Sequence, residues 1–483
     1  MFKIIVRKEL REIIGSTKFA ATFGVCAILI ILAFFVGIKN YQAGMQEYES
    51  SKVAQLQKFE SVTDWNMVFS QQVFLQPKPL AYLITGISND IGRTANIDGR
   101  SRPSLIDSVY SDHPVFAVFR YLDLEFVFQI ILSLFAILFA FDAINGERER
   151  GTLRLSFANP IPRTNYLLGK LFGSYMALTL PLLIPILIGL LLLVIMGISL
   201  SIDEWIRLGL FILCGMLYLG VFLTMSVFMS CLTKRSSSSF LLLLVIWVCS
   251  VLIVPRASVL IAGNMVEVPT SAEIYFKMVQ LEKQNSKYMS KKLDEYDEKS
   301  YQERIQNGDN SPETMEKRKR ELDDLYEKLS EENNKKAQKL ESRLNEERRN
   351  KQIKRERQAF GISRISPAAV FTMAATTLGM TSTELKNHFQ EEAAAYSVSF
   401  AEFIQEKTGH PIGGKRVVID LDQKGKKKQL QPINPREIPE FVYQSPELSH
   451  VLYGALPDIS LLLLYNLIFF SGAFLAFLRF DVR

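Results

Sequence analysis

Cysteine and histidine are scarce, four of each in 483 residues. Cys26, Cys214, Cys231 and Cys249 all lie inside apolar runs, not in loops. No disulfide framework is indicated, and the thiols read as small apolar packing residues. The histidines are scattered. His388 and Glu391 have the i,i+3 spacing of helical metal ligands, but no third ligand accompanies them, so they read as a surface pair. Met373 and Met380 read as one apolar helix face. No Ser–His–Asp or Cys–His set can be picked out. An excess of one charge is also lacking. The chain has 56 basic and 50 acidic residues, a net charge of +6, too even to suggest a nucleic-acid partner. Finally, no nucleotide-binding motif is complete. Gly409-His410-Pro411-Ile412-Gly413-Gly414-Lys415 approaches a phosphate-binding loop. Arg416 stands where magnesium needs Ser or Thr, and the stretch precedes a strand pattern when it should follow one. A self-contained enzyme is not indicated, and no cofactor or metal is expected in this chain.

What the chain does have is apolar residues gathered into blocks. Uncharged runs cover 19–38, 126–141, 171–202, 208–233, 236–255 and 459–478. A bilayer span needs about 20 such residues. Five runs meet that length, and 126–141 meets it if Tyr121 and Leu122 extend it, with Asp123 and Glu125 at the headgroups. The fold class is therefore an all-α polytopic membrane protein with six transmembrane helices. The first run lacks an A-x-A-like cleavage site and is read as a retained span. The expected order is an amphipathic helix 1–16, span 1 17–38, a loop 39–120, span 2 121–142 and a charged loop 143–170. Then follow span 3 171–202, span 4 207–233, span 5 236–255, a large helical domain 256–457 and span 6 458–479.

Lys and Arg in short loops set orientation. They crowd the N-terminus (Lys3, Arg7, Lys8, Arg11, Lys18), the loop after span 2 (Arg148, Arg150, Arg154, Arg163, Lys170), the loop after span 4 (Lys234, Arg235) and the C-terminus (Arg479, Arg483). The opposite short loop holds Asp203 and Glu204. Both termini are thus expected in the cytoplasm, with 39–120 and 256–457 outside it.

The second outside segment reads as a pair of long helices. Thr270 with Glu273 makes a capping box, NGDNSP (307–312) breaks the helix, and Ser311 with Pro312 starts the next, which runs to Arg357. Leu322, Leu325, Leu329, Leu340 and Leu344 give the second helix a thin apolar seam. Its charges alternate in sign, as on a solvated helical face. After Pro367 a further helical stretch runs to about Lys407, with Thr381 and Glu384 as another capping box. Residues 415–430 alternate like a small hairpin about Lys424-Gly425.

One stretch interrupts the apolar pattern, NGERERGTLRLSFANP (145–160). At roughly 2.5–3.5 kcal/mol per charge at the bilayer centre, its first four charges would cost on the order of 10 kcal/mol in lipid. They belong in water or on a protein. Leu153 and Phe157 are i,i+4, and Asn159-Pro160 stops the helix. The result is a short amphipathic helix joined directly to two spans, a piece suited to act as a lever; on physical grounds alone a plain orienting loop also fits.

FDAINGERERGTLRLSFANPIPRTNYLLGK resembles the cytoplasmic loop of type-2 ABC exporter permeases. MFKIIVRKELREIIGS resembles their elbow helix. SPAA (366–369) and the terminal RFDVR (479–483) resemble a bacterial subfamily with a large helical insert before the last span. The resemblance implies an exporter permease in the bacterial cytoplasmic (inner) membrane, moving either a substrate or its own external domain. It also implies a separate ABC ATP-binding subunit, in two copies, that carries ATP and magnesium, and a second permease, identical or related. Glu147, Arg148, Glu149, Arg150, Gly151, Thr152 and Leu153 would form the coupling helix that contacts that subunit. By spacing alone, Gly169 and Gly173 form a GxxxG pair that would let span 3 approach a neighbour closely, and ordinary span glycines fit equally well. The competing reading is a membrane-anchored scaffold or sensor that binds a partner through its helical hairpin.

Overall fold

The computed structural model describes residues 2–86, 88, 92–99, 103–106, 123–158, 160–307, 312–409, 412 and 432–479. The hairpin about Lys424-Gly425, most of the 409–415 loop, the Ser311 cap and the end of RFDVR lie outside the described residues. The chain forms two compact units. One comprises 1–253 with 365–483, the other 254–364. Residues 365–457 therefore share a unit with the spans.

Among the described residues six helices are long and apolar enough to cross a membrane. They are Thr17–Glu60 (span 1), Leu124–Glu149 (span 2), Arg163–Ile195 (span 3), Ile202–Leu232 (span 4), Ser236–Met265 (span 5) and Leu448–Leu478 (span 6). The chain is a multi-pass, all-α membrane protein. Span 3 leaves Leu187, Leu191, Val194 and Ile195 bare, a surface suited to lipid. The helix of span 1 continues well past the apolar run, through Lys39 and Glu47 to Glu60.

The first unit is built around span 4. Span 6 and a short helix, Pro367–Gly379, pack against it. Thirteen residues make about 20 Å, too little to cross a bilayer, yet this helix is almost wholly buried. The reason is its composition: Ala368, Ala369, Ala374 and Ala375 allow close approach, while Phe371 fills the gap. The Phe371 ring stacks on Tyr218 of span 4, with centroids 4.7 Å apart. Ser366 caps the helix, accepting from Ala368 N at 3.1 Å and Ala369 N at 3.2 Å. After an opening α-helical stretch, Leu124–Phe126, span 2 contains a π-helical turn, Val127–Leu132. Such a turn leaves carbonyls short of helical partners. The Tyr218 hydroxyl donates to the Gln129 carbonyl at 2.9 Å, and Trp247 Nε1 donates to Ser133 Oγ at 2.8 Å. Met373 packs on this core, but Met380 lies beyond the helix end with φ 55, so the two do not share one helix face.

The 39–120 segment also contains a feature that the sequence patterns do not suggest. Three strands, β1 (Gln71–Phe74), β2 (Thr94–Ile97) and β3 (Ser104–Ile106), form an antiparallel sheet in that order. Val73, Ala95 and Ile97 meet Phe389, Ala393 and Phe400 of helix Thr383–Thr408 in a second apolar core. That helix begins at Ser382 without a side-chain cap; Thr381 is buried and donates to the Thr376 carbonyl instead. His388 sets its ring edge-on to Tyr443 with centroids 5.4 Å apart.

The second unit contains helices Ser271–Asn307 and Pro312–Ser363. Glu273 N donates to Thr270 Oγ1 at 3.1 Å, one half of the expected box. Tyr296 reaches the Arg318 carbonyl at 3.2 Å, and Arg348 reaches Ser271 Oγ at 2.7 Å. Leu329 and Leu344 of the seam are buried. Such contacts between early and late residues make the pair an antiparallel hairpin.

Candidate coupling interface

The charged interruption folds as two short helices, Asn145–Glu149 and Thr152–Phe157. Gly151 between them has φ 75, a conformation that costs other residues roughly 1–2 kcal/mol. A Cβ there would meet nothing within 4 Å. Backbone freedom, not space, is the reason for glycine at this corner.

The pair and the first residue of span 3 are tied to their surroundings at five places. Asn145 is fully buried and joins three helix ends. Its Oδ1 accepts from Ser230 Oγ at 3.0 Å, its Nδ2 donates to Thr233 Oγ1 at 2.9 Å, and Ser236 Oγ approaches its Oδ1 at 3.3 Å. Glu149 accepts from Ser236 N at 3.0 Å and Ser236 Oγ at 2.8 Å, so it caps the first turn of span 5 from another segment. Phe157 packs on Tyr166 of span 3 and Phe477 of span 6, at centroid distances of 5.0 and 6.0 Å. Arg163 then donates to the Phe477 and Leu478 carbonyls at 3.1 and 2.6 Å, satisfying the C-terminal carbonyls of span 6.

The fifth tie is a buried charge cluster. Glu147 is 2% exposed. Its Oε1 meets Lys170 Nζ at 2.8 Å and Lys8 Nζ at 3.1 Å, and the Tyr166 hydroxyl donates to its Oε2. Lys170 Nζ also meets Glu9 Oε2 at 2.6 Å. Burial raises the Glu9 carboxyl above its ordinary range although Lys170 pulls it down. Arg150 reaches toward Glu12 at 3.8 Å. Carboxylate oxygens of Glu9, Glu12 and Glu147 come within 4.8 Å of one another, a spacing that a metal ion could exploit. Here Lys170 already supplies the positive charge to Glu9 and Glu147.

Glycine decides how close the elbow helix, Phe2–Ile14, can come. A Cβ on Gly169 would stand 2.8 Å from Ile5 Cγ2, and one on Gly173 would stand 2.7 Å from Glu9 Cβ. The neighbour that the GxxxG spacing serves in this chain is its own elbow helix.

The seven residues read as one contact face in the sequence therefore divide. Glu147 and Leu153 are buried, each 2% exposed, and face the protein. Neither presents its side chain at the surface of this chain. The cause is the apolar and charged lining behind the loop. Arg148, Glu149, Arg150 and Gly151 are exposed, Thr152 is half-buried, and Arg154 and Leu155 are exposed beside them. Leu155 is 71% exposed, a large apolar side chain in the open. Sequence reasoning missed Asn145, Tyr166, Lys170 and Glu9 as parts of the site. Lys170 was legible only as an orientation charge, although its position between the two glycines was a signal that it faces whatever packs there.

Six spans, an N-terminal elbow helix and a charged turn tied to the spans are the features expected of an ABC-type permease. A family model for ABC-2 family transporter proteins matches residues 3–482, so the chain belongs to that family. It is also 34% identical over 125 residues to the probable ABC transporter permease protein NosY of Stutzerimonas stutzeri. That match covers 26% of this chain and 45% of the relative, less than half of its length.

Proposed function

We propose that the chain is the transmembrane permease subunit of an ATP-driven exporter in the bacterial cytoplasmic membrane. A separate subunit binds and hydrolyses ATP with magnesium, and two such subunits work with two permeases. The exposed turn Arg148–Leu155 docks on the ATP-binding subunit. Arg148, Glu149, Arg150, Gly151 and Thr152 belong to the contact, and Arg154 and Leu155 extend it. Glu147 and Leu153 hold the turn from behind. The termini and this turn lie in the cytoplasm, and the sheet region and helical hairpin lie on the other side.

The observation that carries this reading is the set of ties just described. A push on the turn reaches spans 3, 4, 5 and 6 and the elbow helix through Tyr166, Asn145, Glu149, Phe157 and Glu147. Short, buried or helix-capping links leave little slack, so displacement of the docked turn becomes displacement of the spans. Reversing one exposed charge and removing the exposed leucine, Arg154→Glu with Leu155→Asp, tests the docking. The variant should retain the thermal unfolding temperature of the parent, because both side chains are outside the packed core. The co-expressed ATP-binding subunit should be held at least roughly tenfold more weakly, as expected for loss of an interface anchor. Undiminished retention with undiminished ATP hydrolysis would leave the turn as an orientation signal only.

A further inference from the structure

A cavity of about 460 Å³ lies where the sheet region meets the first turns of spans 4 and 6, within the size range of small-ligand sites. Its lining is of two kinds. Leu75, Leu80, Leu385, Leu448 and Val451 are apolar, whereas Lys78, Arg93 and Arg207 are cationic. The three cations come from three separate stretches: the turn after β1, the residue before β2, and span 4. Positive charge is thus brought here by the fold, not by one basic run of sequence.

Arg93 is held in place by Tyr82, bonded to its hydroxyl and lying 4.6 Å from its ring centroid. Arg207 donates through Nε to the Asp203 carbonyl at 3.4 Å, and among the described residues its terminal nitrogens have no carboxylate within ion-pair distance. The Lys78 carbonyl accepts from Ala81 N at 3.1 Å, while the Lys78 Nζ has no hydrogen-bond or ion-pair partner among the described residues. Lys78 and Arg207 are both half-buried. Acidic residues line the cavity too, but Glu204 is engaged with Ser201 N at 2.9 Å and Ser201 Oγ at 3.2 Å. Glu447 accepts from Ser449 Oγ at 3.2 Å, and Asp203 is exposed. Asp203 and Glu204 act on the Arg207 charge from nearby, yet neither carboxylate is in contact with its terminal nitrogens, so those nitrogens are left to donate to a guest, and a guanidinium matches the flat, two-oxygen face of a carboxylate or phosphate.

We propose that this cavity binds an anionic amphiphile. Lys78 and Arg207 receive its carboxylate or phosphate head, and Leu80, Leu448 and Val451 cover its apolar chain. Such a molecule has two sources, a lipid of the surrounding bilayer or a free acid handled as cargo. Binding requires only this chain, so the proposal stands or falls apart from the docking of an ATP-binding subunit.

The test is native mass spectrometry of the full chain in neutral maltoside detergent. The probes are dilauroyl phosphatidylglycerol, dodecanoate, dilauroyl phosphatidylcholine and inorganic phosphate. One equivalent of phosphatidylglycerol or dodecanoate should bind, while phosphatidylcholine and inorganic phosphate should not. Lys78→Gln and Arg207→Gln should each weaken that binding about tenfold, the value of one charge-assisted hydrogen bond. Ligand-free thermal unfolding of each variant checks folding; should Arg207→Gln fail to fold, Lys78→Gln, in a turn outside the helices, decides alone. Saturation by phosphatidylglycerol only assigns the site to bilayer lipid, saturation by dodecanoate only assigns it to a free acid, and binding of both supports the site with either source. No anionic binding, binding matched by phosphatidylcholine, or indifference to Lys78→Gln overturns the proposal.

Discussion

Lys170 stands between Glu9 and Glu147, two buried carboxylates that would otherwise face each other across the elbow contact. This asymmetry separates the two obvious substitutions. Glu147→Gln leaves Lys170 paired with Glu9. Lys170→Met leaves two acidic groups without their shared cation, and breaking a buried pair from one side costs about 3–5 kcal/mol. Thermal unfolding of the purified chain should therefore show a larger loss for Lys170→Met than for Glu147→Gln. The double variant should lose less than the sum of the two, because both substitutions act on one network. Equal and additive losses would mean that Lys170 is an ordinary solvated base. The cluster also explains why the sequence misleads at this scale. The charges of ERER look equivalent in a row, and only the helical turn places Glu147 inward while Arg148, Glu149 and Arg150 face out.

At the scale of elements, the elbow helix is the sensitive piece. Its position depends on the two glycines of span 3, and an added side chain at Gly173 has nowhere to go but into Glu9 and the Val6 carbonyl, 2.7 and 3.3 Å away. Gly173→Val should lift the elbow from span 3, with an overpacking cost of about 1–3 kcal/mol. Protease cleavage within the first 16 residues of the detergent-purified chain is the measurement, and it should accelerate. Unchanged cleavage would show that the elbow is held by its charges alone. The spans, the GxxxG spacing and the long hairpin were legible in the sequence because each rests on many residues in one pattern. The three strands were not, since segments of three or four residues give too little alternation to recognise. Helix Pro367–Gly379 was legible as a helix but not as a buried part of the span unit. At 13 residues it falls short of a span, and only its alanines and Phe371 signal a tightly enclosed site.

For the whole molecule, sequence blocks anticipate the six spans because lipid permits few alternatives to an apolar helix. They do not anticipate that residues 365–457 pack with those spans while 254–364 form a unit of their own; that division depends on contacts between distant parts of the chain. The central claim is that one exposed turn receives force from an ATP-binding partner and passes it to the spans through buried ties. A photo-crosslinking amino acid placed singly at Leu155 and at Leu153, in cells producing the chain with its ATP-binding subunit, tests this most directly. The account predicts a covalent adduct to that subunit from position 155, which is 71% exposed, and little or none from position 153, which is 2% exposed. No adduct from position 155, or equal adducts from both positions, would contradict it.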